Sequence, residues 1–150
     1  MKIFLFILLL FTNTMFSQKI TENLIHVITK GADKVYIDAE GIEKFTGDDI
    51  FVWSVSEHST PIVIESIEEK ISKTKSYYLL NKRLNKYSIL FIIYYDDANN
   101  VLASYDYNRN TNIEDYQYNY PIWDNSVESA ILSKCIELID SKNNSNDKLK

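Results

Sequence analysis

The chain has 150 residues, 45% apolar, 25% charged and 13% aromatic, which is room for one ordinary domain and not two. Three glycines and two prolines exclude collagen-like and Pro/Gly-rich disordered chains, and a net charge of −5 is unsuited to tracking a phosphate backbone, so no nucleic-acid partner is expected. One cysteine excludes a disulfide scaffold and a four-thiolate metal site, and two histidines leave little for a histidine metal cluster.

Residues 1–17 read as a secretory signal peptide. Met1-Lys2 is a basic start, residues 3–11 are an unbroken apolar run, and residues 12–17 form a polar exit ending in the small Ser17. Cleavage is expected between Ser17 and Gln18. The apolar run is short of the roughly 20 residues a spanning helix needs, so no transmembrane anchor is expected. The mature domain is then exported, to the periplasm, the cell surface or the medium.

Residues 18–30 fit a short helix or a strand equally well. Residues 34–38 are a short β-rich run, followed by turn chemistry at residues 39–42 and 46–49. Residues 50–56 predict a strand with Phe51, Trp53 and Val55 on one face and Val52 and Ser54 on the other. Across residues 61–75, Val63, Ile67 and Ile71 recur every four positions. That spacing suggests a short amphipathic helix, although an irregular excursion between strands fits as well. Residues 77–80 predict a strand, residues 81–85 a turn, and residues 87–95 a strand apolar on both faces and so central in its sheet. Residues 96–100 then make a hairpin connection to a returning strand at 101–105.

Residues 107–120 break the pattern, with many Tyr and Asn and few aliphatics. A helix follows over residues 126–141, with Asn125 as cap and Glu128 completing a capping box. Its apolar stripe is Val127, Ala130, Ile131, Cys135, Leu138 and Ile139. Residues 142–150 read as a disordered tail. Strands followed by one long helix predict an α+β domain over residues 18–141: an antiparallel sheet of five to six strands with the helix packed on a face.

Several of these pieces, taken in order, resemble the surface-adhesin protein E family. They are the Val35–Ile42 run, the Trp53 strand, the Tyr94-Tyr95-Asp96 turn with Asn99-Asn100-Val101-Leu102 after it, and Trp123 followed by a helix carrying Cys135. The resemblance covers about residues 33–139. It implies a small secreted domain, mainly antiparallel, and for the family's namesake adhesion to host extracellular proteins. Two departures stand out. The family pairs its helix cysteine with a second one, whose place here is taken by Asn81. The lipid-acceptor cysteine of the namesake is also missing.

The binding residues expected from the pattern are Tyr105, Tyr107, Arg109, Tyr116, Tyr118 and Tyr120. Tyrosine offers a large amphipathic contact at low entropy cost, and the interspersed Asn and Arg add adaptable hydrogen bonds. Because Tyr116, Tyr118 and Tyr120 alternate, an extra strand is the competing reading. Cys135 is expected as a small buried hydrophobe. His26 and His58 are expected to be structural or exposed. No nucleophile, metal or phosphate-binding motif is present, so no enzyme activity and no cofactor are expected. The sequence therefore points to a non-enzymatic exported domain that contacts a protein or an extracellular-matrix ligand. A periplasmic accessory protein of an envelope complex is the alternative. A homodimer formed by pairing sheet edges is a further option.

Overall fold

The computed structural model describes residues 23–107 and 118–147. The expected signal peptide lies outside them. Seven strands and one long helix follow in chain order: β1 (Leu24–Lys30), β2 (Asp33–Asp38), β3 (Asp49–Ile64), β4 (Ile67–Asn81), β5 (Lys86–Tyr95), β6 (Val101–Asp106), β7 (Tyr120–Pro121) and α1 (Val127–Asp147). A single 3₁₀ turn, Ile42–Lys44, lies between β2 and β3. The sheet is antiparallel throughout, in the order β1-β2-β3-β4-β5-β6, with β7 paired to β5 beside β6. This is the α+β plan expected of strands followed by a helix.

Every pair of neighbouring strands is also consecutive in the chain, except β5 and β7. Short turns suffice for such a meander. Gly31 takes φ 66° in the β1–β2 turn, where a side chain would be strained. Asn85 and Asn99 take φ 52° and 64° in the turns after β4 and β5, and Asn tolerates this region better than most residues.

The core lies between the sheet and α1. Val35 and Ile37 of β2, Ile50 and Val52 of β3, and Tyr78 and Leu80 of β4 form one cluster with Ile131, Leu132, Cys135 and Ile139 of α1. Each fully buried Ile or Leu contributes about 1.5–3 kcal/mol. The alternation expected for residues 50–56 holds, and Val52 and Ser54 form the side turned to the core.

Four expectations are corrected. Residues 61–75 are neither a helix nor an irregular excursion; they belong to the β3–β4 hairpin. Ile64 opposes Ile67 and Ile62 opposes Ile71. A four-residue spacing is a multiple of the strand period as well as close to one helical turn, so it could not discriminate. The hairpin is irregular, because the step from Glu57 to Ile62 is opposed by the shorter step from Lys73 to Ile71. Second, β5 is interior but not central; β3 and β4 are the middle strands. It is apolar on both faces because each face carries its own layer of side chains.

Third, Asn125 does not cap α1. It takes φ 61°, and the Ser126 hydroxyl accepts the Ser129 N–H at 3.0 Å. Ser126 is therefore the cap, which places Glu128 one position too early to complete a capping box. Fourth, α1 runs through residues 142–147, where a disordered tail is expected. Lys142 Nζ lies 3.1 Å from Glu43 Oε1 and ties this turn to the 3₁₀ segment. A helix backbone satisfies its own hydrogen bonds without apolar periodicity.

Candidate binding surface

The outer edge of β5 is shared by two short segments. Phe91, Ile92, Ile93, Tyr94 and Tyr95 pair with β6. Lys86 and Tyr87 pair with β7. The chain leaves this edge where Tyr107 N–H donates to Leu90 O at 3.0 Å. It returns where Asn119 N–H donates to Tyr87 O at 3.1 Å. The same Asn119 N–H lies 3.1 Å from Ser88 Oγ. Residues 107 and 119 are thus held within a few positions of each other on one strand.

The expected binding residues separate into three groups on this scaffold. Tyr105 and Tyr107 are 39% and 44% exposed at the β6 edge. The Tyr105 ring meets Tyr94 edge to face, with centroids 6.1 Å apart. Burial raises the Tyr94 hydroxyl above its usual pKa, and its neighbours Tyr107 and Tyr105 raise it further. Tyr120 is 47% exposed, and its ring lies 5.3 Å from Tyr87. Tyr87 in turn lies 5.8 Å from Tyr78, which reaches the core. Arg109 and Tyr116 lie outside the described residues.

Tyr118 does not belong with the exposed tyrosines. Its hydroxyl donates to Asp49 Oδ1 and accepts from Asn81 Nδ2 at 3.0 Å. Burial and the Asp49 carboxylate push its pKa up to about 12. Asn81 also donates to Asp49 at 2.6 Å and accepts the Leu84 N–H at 2.7 Å. Tyr118 therefore fastens the chain just before β7 to the paired start of β3 and end of β4. Tyr118 and Tyr120 act on opposite sides of the sheet. Asp49 shares its side with Phe51, whereas Tyr87 opposes Leu80 on the core side.

A second surface lies on the side of the sheet away from the core. Phe51, Trp53, Tyr77 and Phe91 form a row across β3, β4 and β5. Trp53 stacks on Tyr77 at 4.8 Å and meets Phe91 at 6.1 Å. Lys75 Nζ sits 5.0 Å from the Trp53 ring centre, and Lys73 Nζ sits 4.4 Å from that of Tyr95. Trp53 thus shares its faces with Tyr77 and Lys75. The sequence marked each aromatic as a strand residue; only strand register shows that they line up.

The histidines behave as expected of structural or exposed groups. His26 contacts Thr29 at 3.0 Å near the surface. His58 places Nδ1 3.1 Å from Asp33 Oδ2 and Nε2 2.9 Å from Thr74 Oγ1. Asp33 uses its other oxygen on the Ser59 N–H and hydroxyl, at 3.0 and 3.1 Å. These contacts pull the Asp33 carboxyl below its usual pKa, the His58 hydrogen bond most of all. An imidazole between a carboxylate and a hydroxyl has the connectivity of a general-base relay. Here its partners join the start of β2 to the irregular stretch of β3 and to mid-β4, which is a fastening role.

Cys135 is fully buried and free. Burial pushes its thiol up to about 12, far from a reactive thiolate. Among the described residues, no group of three or more His, Cys, Asp or Glu is placed to hold a metal. Among them too, no helix is long and apolar enough to cross a membrane. Compared with family models, curated proteins and solved structures, the chain matches none.

Proposed function

We propose that this chain is an exported, non-enzymatic binding domain, similar in role to surface-adhesin protein E, that contacts a protein or another extracellular macromolecule through the tyrosine edge of its sheet. One observation carries the reading. Tyr105, Tyr107 and Tyr120 stay 39–47% exposed along the outer edge of β5 although each is anchored, Tyr105 and Tyr120 by strand pairing and ring contacts and Tyr107 by its backbone hydrogen bond to Leu90. Anchored tyrosines contribute contact area while losing little freedom on binding. The signal-peptide pattern of residues 1–17 supports export.

The test combines location and binding. Protease should cleave the domain on intact cells of the source organism; protection until lysis removes the surface role and favours the envelope-accessory alternative. The purified domain should bind an immobilised panel of extracellular-matrix proteins. The triple variant Tyr105→Ser/Tyr107→Ser/Tyr120→Ser should lose about tenfold or more in affinity, each lost hot spot contributing at least about 1 kcal/mol. An unchanged affinity removes the tyrosine edge from the reading.

A further inference from the structure

Tyr87, Tyr94, Tyr105 and Tyr120 share one side of the sheet, and that side carries no lysine or arginine. Tyr87 and Tyr94 of β5 oppose Leu80 and Thr74 of β4, whose side also holds Ser76 and Tyr78. Tyr105 opposes Ile92, itself opposite Ser76, and Tyr120 opposes Tyr87, so both join this side, which is the one α1 docks on. The lysines of these strands point the other way. Lys73 and Lys75 share their side with Tyr77, and Lys86 opposes Asn81 on that same far side. Asp106 opposes Phe91 and is on the far side too. Among the described residues of β5, β6 and β7, and of β4 from Lys73 onward, the tyrosine side therefore holds no charged side chain.

The first turn of α1 brings a negative charge to it. Burial raises the Tyr78 and Tyr87 hydroxyls above their usual pKa, and the nearby Glu128 carboxylate raises both further. Lys134, the first cation of α1, pairs with Glu137 at 2.8 Å. Beyond Thr74, His58 is paired with Asp33. Lys82 and Arg83 stand in the β4–β5 turn, past the strand ends. There Arg83 pairs with Asp48 at 2.8 Å, and exposed Asp124 lies two residues after Ile122, whose N–H donates to Asn85 O of that turn. The turn after β5 adds Asp96 and Asp97.

The tyrosines form two groups on this side. Tyr87 lies between Tyr78 and Tyr120, with ring centroids 5.8 and 5.3 Å away, and Glu128 acts on this group. Tyr94 and Tyr105 form the second, at 6.1 Å. The step along β5 from Tyr87 to Tyr94 spans roughly 20 Å at 3.3 Å per residue. Tyrosine ring faces beside a carboxylate attract a positive group. Resting on the tyrosine edge as the contact surface, we propose that its partner is a basic segment of another protein: one arginine or lysine seats by Tyr87, Tyr120 and Glu128, and a second by Tyr94 and Tyr105. A small cation reaches one group only, whereas an extended chain covers roughly 20 Å in about six residues. The net charge of −5 adds long-range attraction for such a partner.

Fluorescence anisotropy with the purified protein tests it. The probe is a labelled peptide of about ten residues with two arginines roughly 20 Å apart when extended; its controls are the same peptide with glutamates for arginines, and spermine. The arginine peptide should bind and the glutamate peptide should not, and salt should weaken the binding. Glu128→Gln should weaken it at least about fivefold, whereas Glu68→Gln, the same loss of charge in the β3–β4 hairpin, should leave it unchanged. If Glu128→Gln melts early, Tyr120→Ser replaces it with the same expected loss. No binding of the arginine peptide, equal losses in the two glutamate variants, or spermine binding as tightly as the peptide overturns the proposal. Should matrix proteins still depend on Tyr105, Tyr107 and Tyr120 while the arginine peptide fails to bind, the basic partner falls and the tyrosine edge stands. Should the arginine peptide bind the triple tyrosine variant unchanged, both fall.

Discussion

Asn81 and Cys135 face opposite sides of the sheet. Asn81 is only 3% exposed and bonds Asp49 and Tyr118 on the side of Phe51, while its neighbour Leu80 points to the core that holds Cys135. Asn81 is the position that the family resemblance equates with a disulfide partner of Cys135. Successive strand residues alternate sides, so the two β-carbons cannot meet without moving the backbone. The variant Asn81→Cys should therefore keep two free thiols after air oxidation, as read by thiol titration in denaturant. One bridged pair would mean that β4 ends in a different register.

Cys135 should resist chemistry in the folded state. Its thiol stays protonated near neutral pH and is fully buried, and modification needs an exposed thiolate. A thiol reagent at pH 8 should react at the rate of unfolding, not at that of a free thiol. Cys135→Ser places a hydroxyl among Ile131, Leu132 and Ile139 and should destabilise the fold by about 1–3 kcal/mol. It should not alter oligomeric state under oxidising conditions; a disulfide-linked dimer band lost in the variant would contradict the buried placement.

Tyr118 and Tyr120 should part company on mutation. Tyr118→Phe removes the hydroxyl that joins Asp49 and Asn81, and should cost about 1–3 kcal/mol in denaturant unfolding. Tyr120→Ser, with its side chain 47% exposed, should change stability by much less. Equal losses would show that the Tyr118 hydroxyl carries no stability of its own.

Acid should loosen the Asp33–His58 fastening. The folded pKa of Asp33 lies below its usual 3.8. An unfolded chain then binds the proton more readily than the folded one. Stability from this group is thus present above that usual value and is lost as pH falls through the lower folded one. Melting temperatures of wild type and Asp33→Asn should differ most above roughly pH 5 and converge toward pH 2. A gap that stays constant with pH would remove the carboxylate charge from the account.

Much of the β-structure was legible from local chemistry. Residues 34–38, 50–56, 77–80 and 101–105 carry β-branched and aromatic residues between turn signals, and all lie in strands. The stripe of α1 was equally plain, and Ile131, Cys135 and Ile139 enter the core. Residues 61–75 were not legible, because Ile67 and Ile71 are buried within a hairpin whose register breaks between them. Of the expected binding residues, Tyr105, Tyr107 and Tyr120 share an exposed edge, while Tyr118 is drawn to Asp49, a residue 69 positions away.

Strand-forming runs, turn residues and the amphipathic helix follow from short-range preferences that any stretch of this chain carries with it. A period of two divides each strand into two faces, yet it is silent on which face meets the helix. Val52 faces Ile131 and Cys135 while Trp53 stacks on Tyr77 because α1 docks on one side alone. That choice, the partnership of Asn81 with Tyr118, and the placing of Tyr94, Tyr105 and Tyr120 on one side of the sheet all depend on register between strands distant in sequence. Register is set by how the whole sheet buries its apolar area, a property of no single segment.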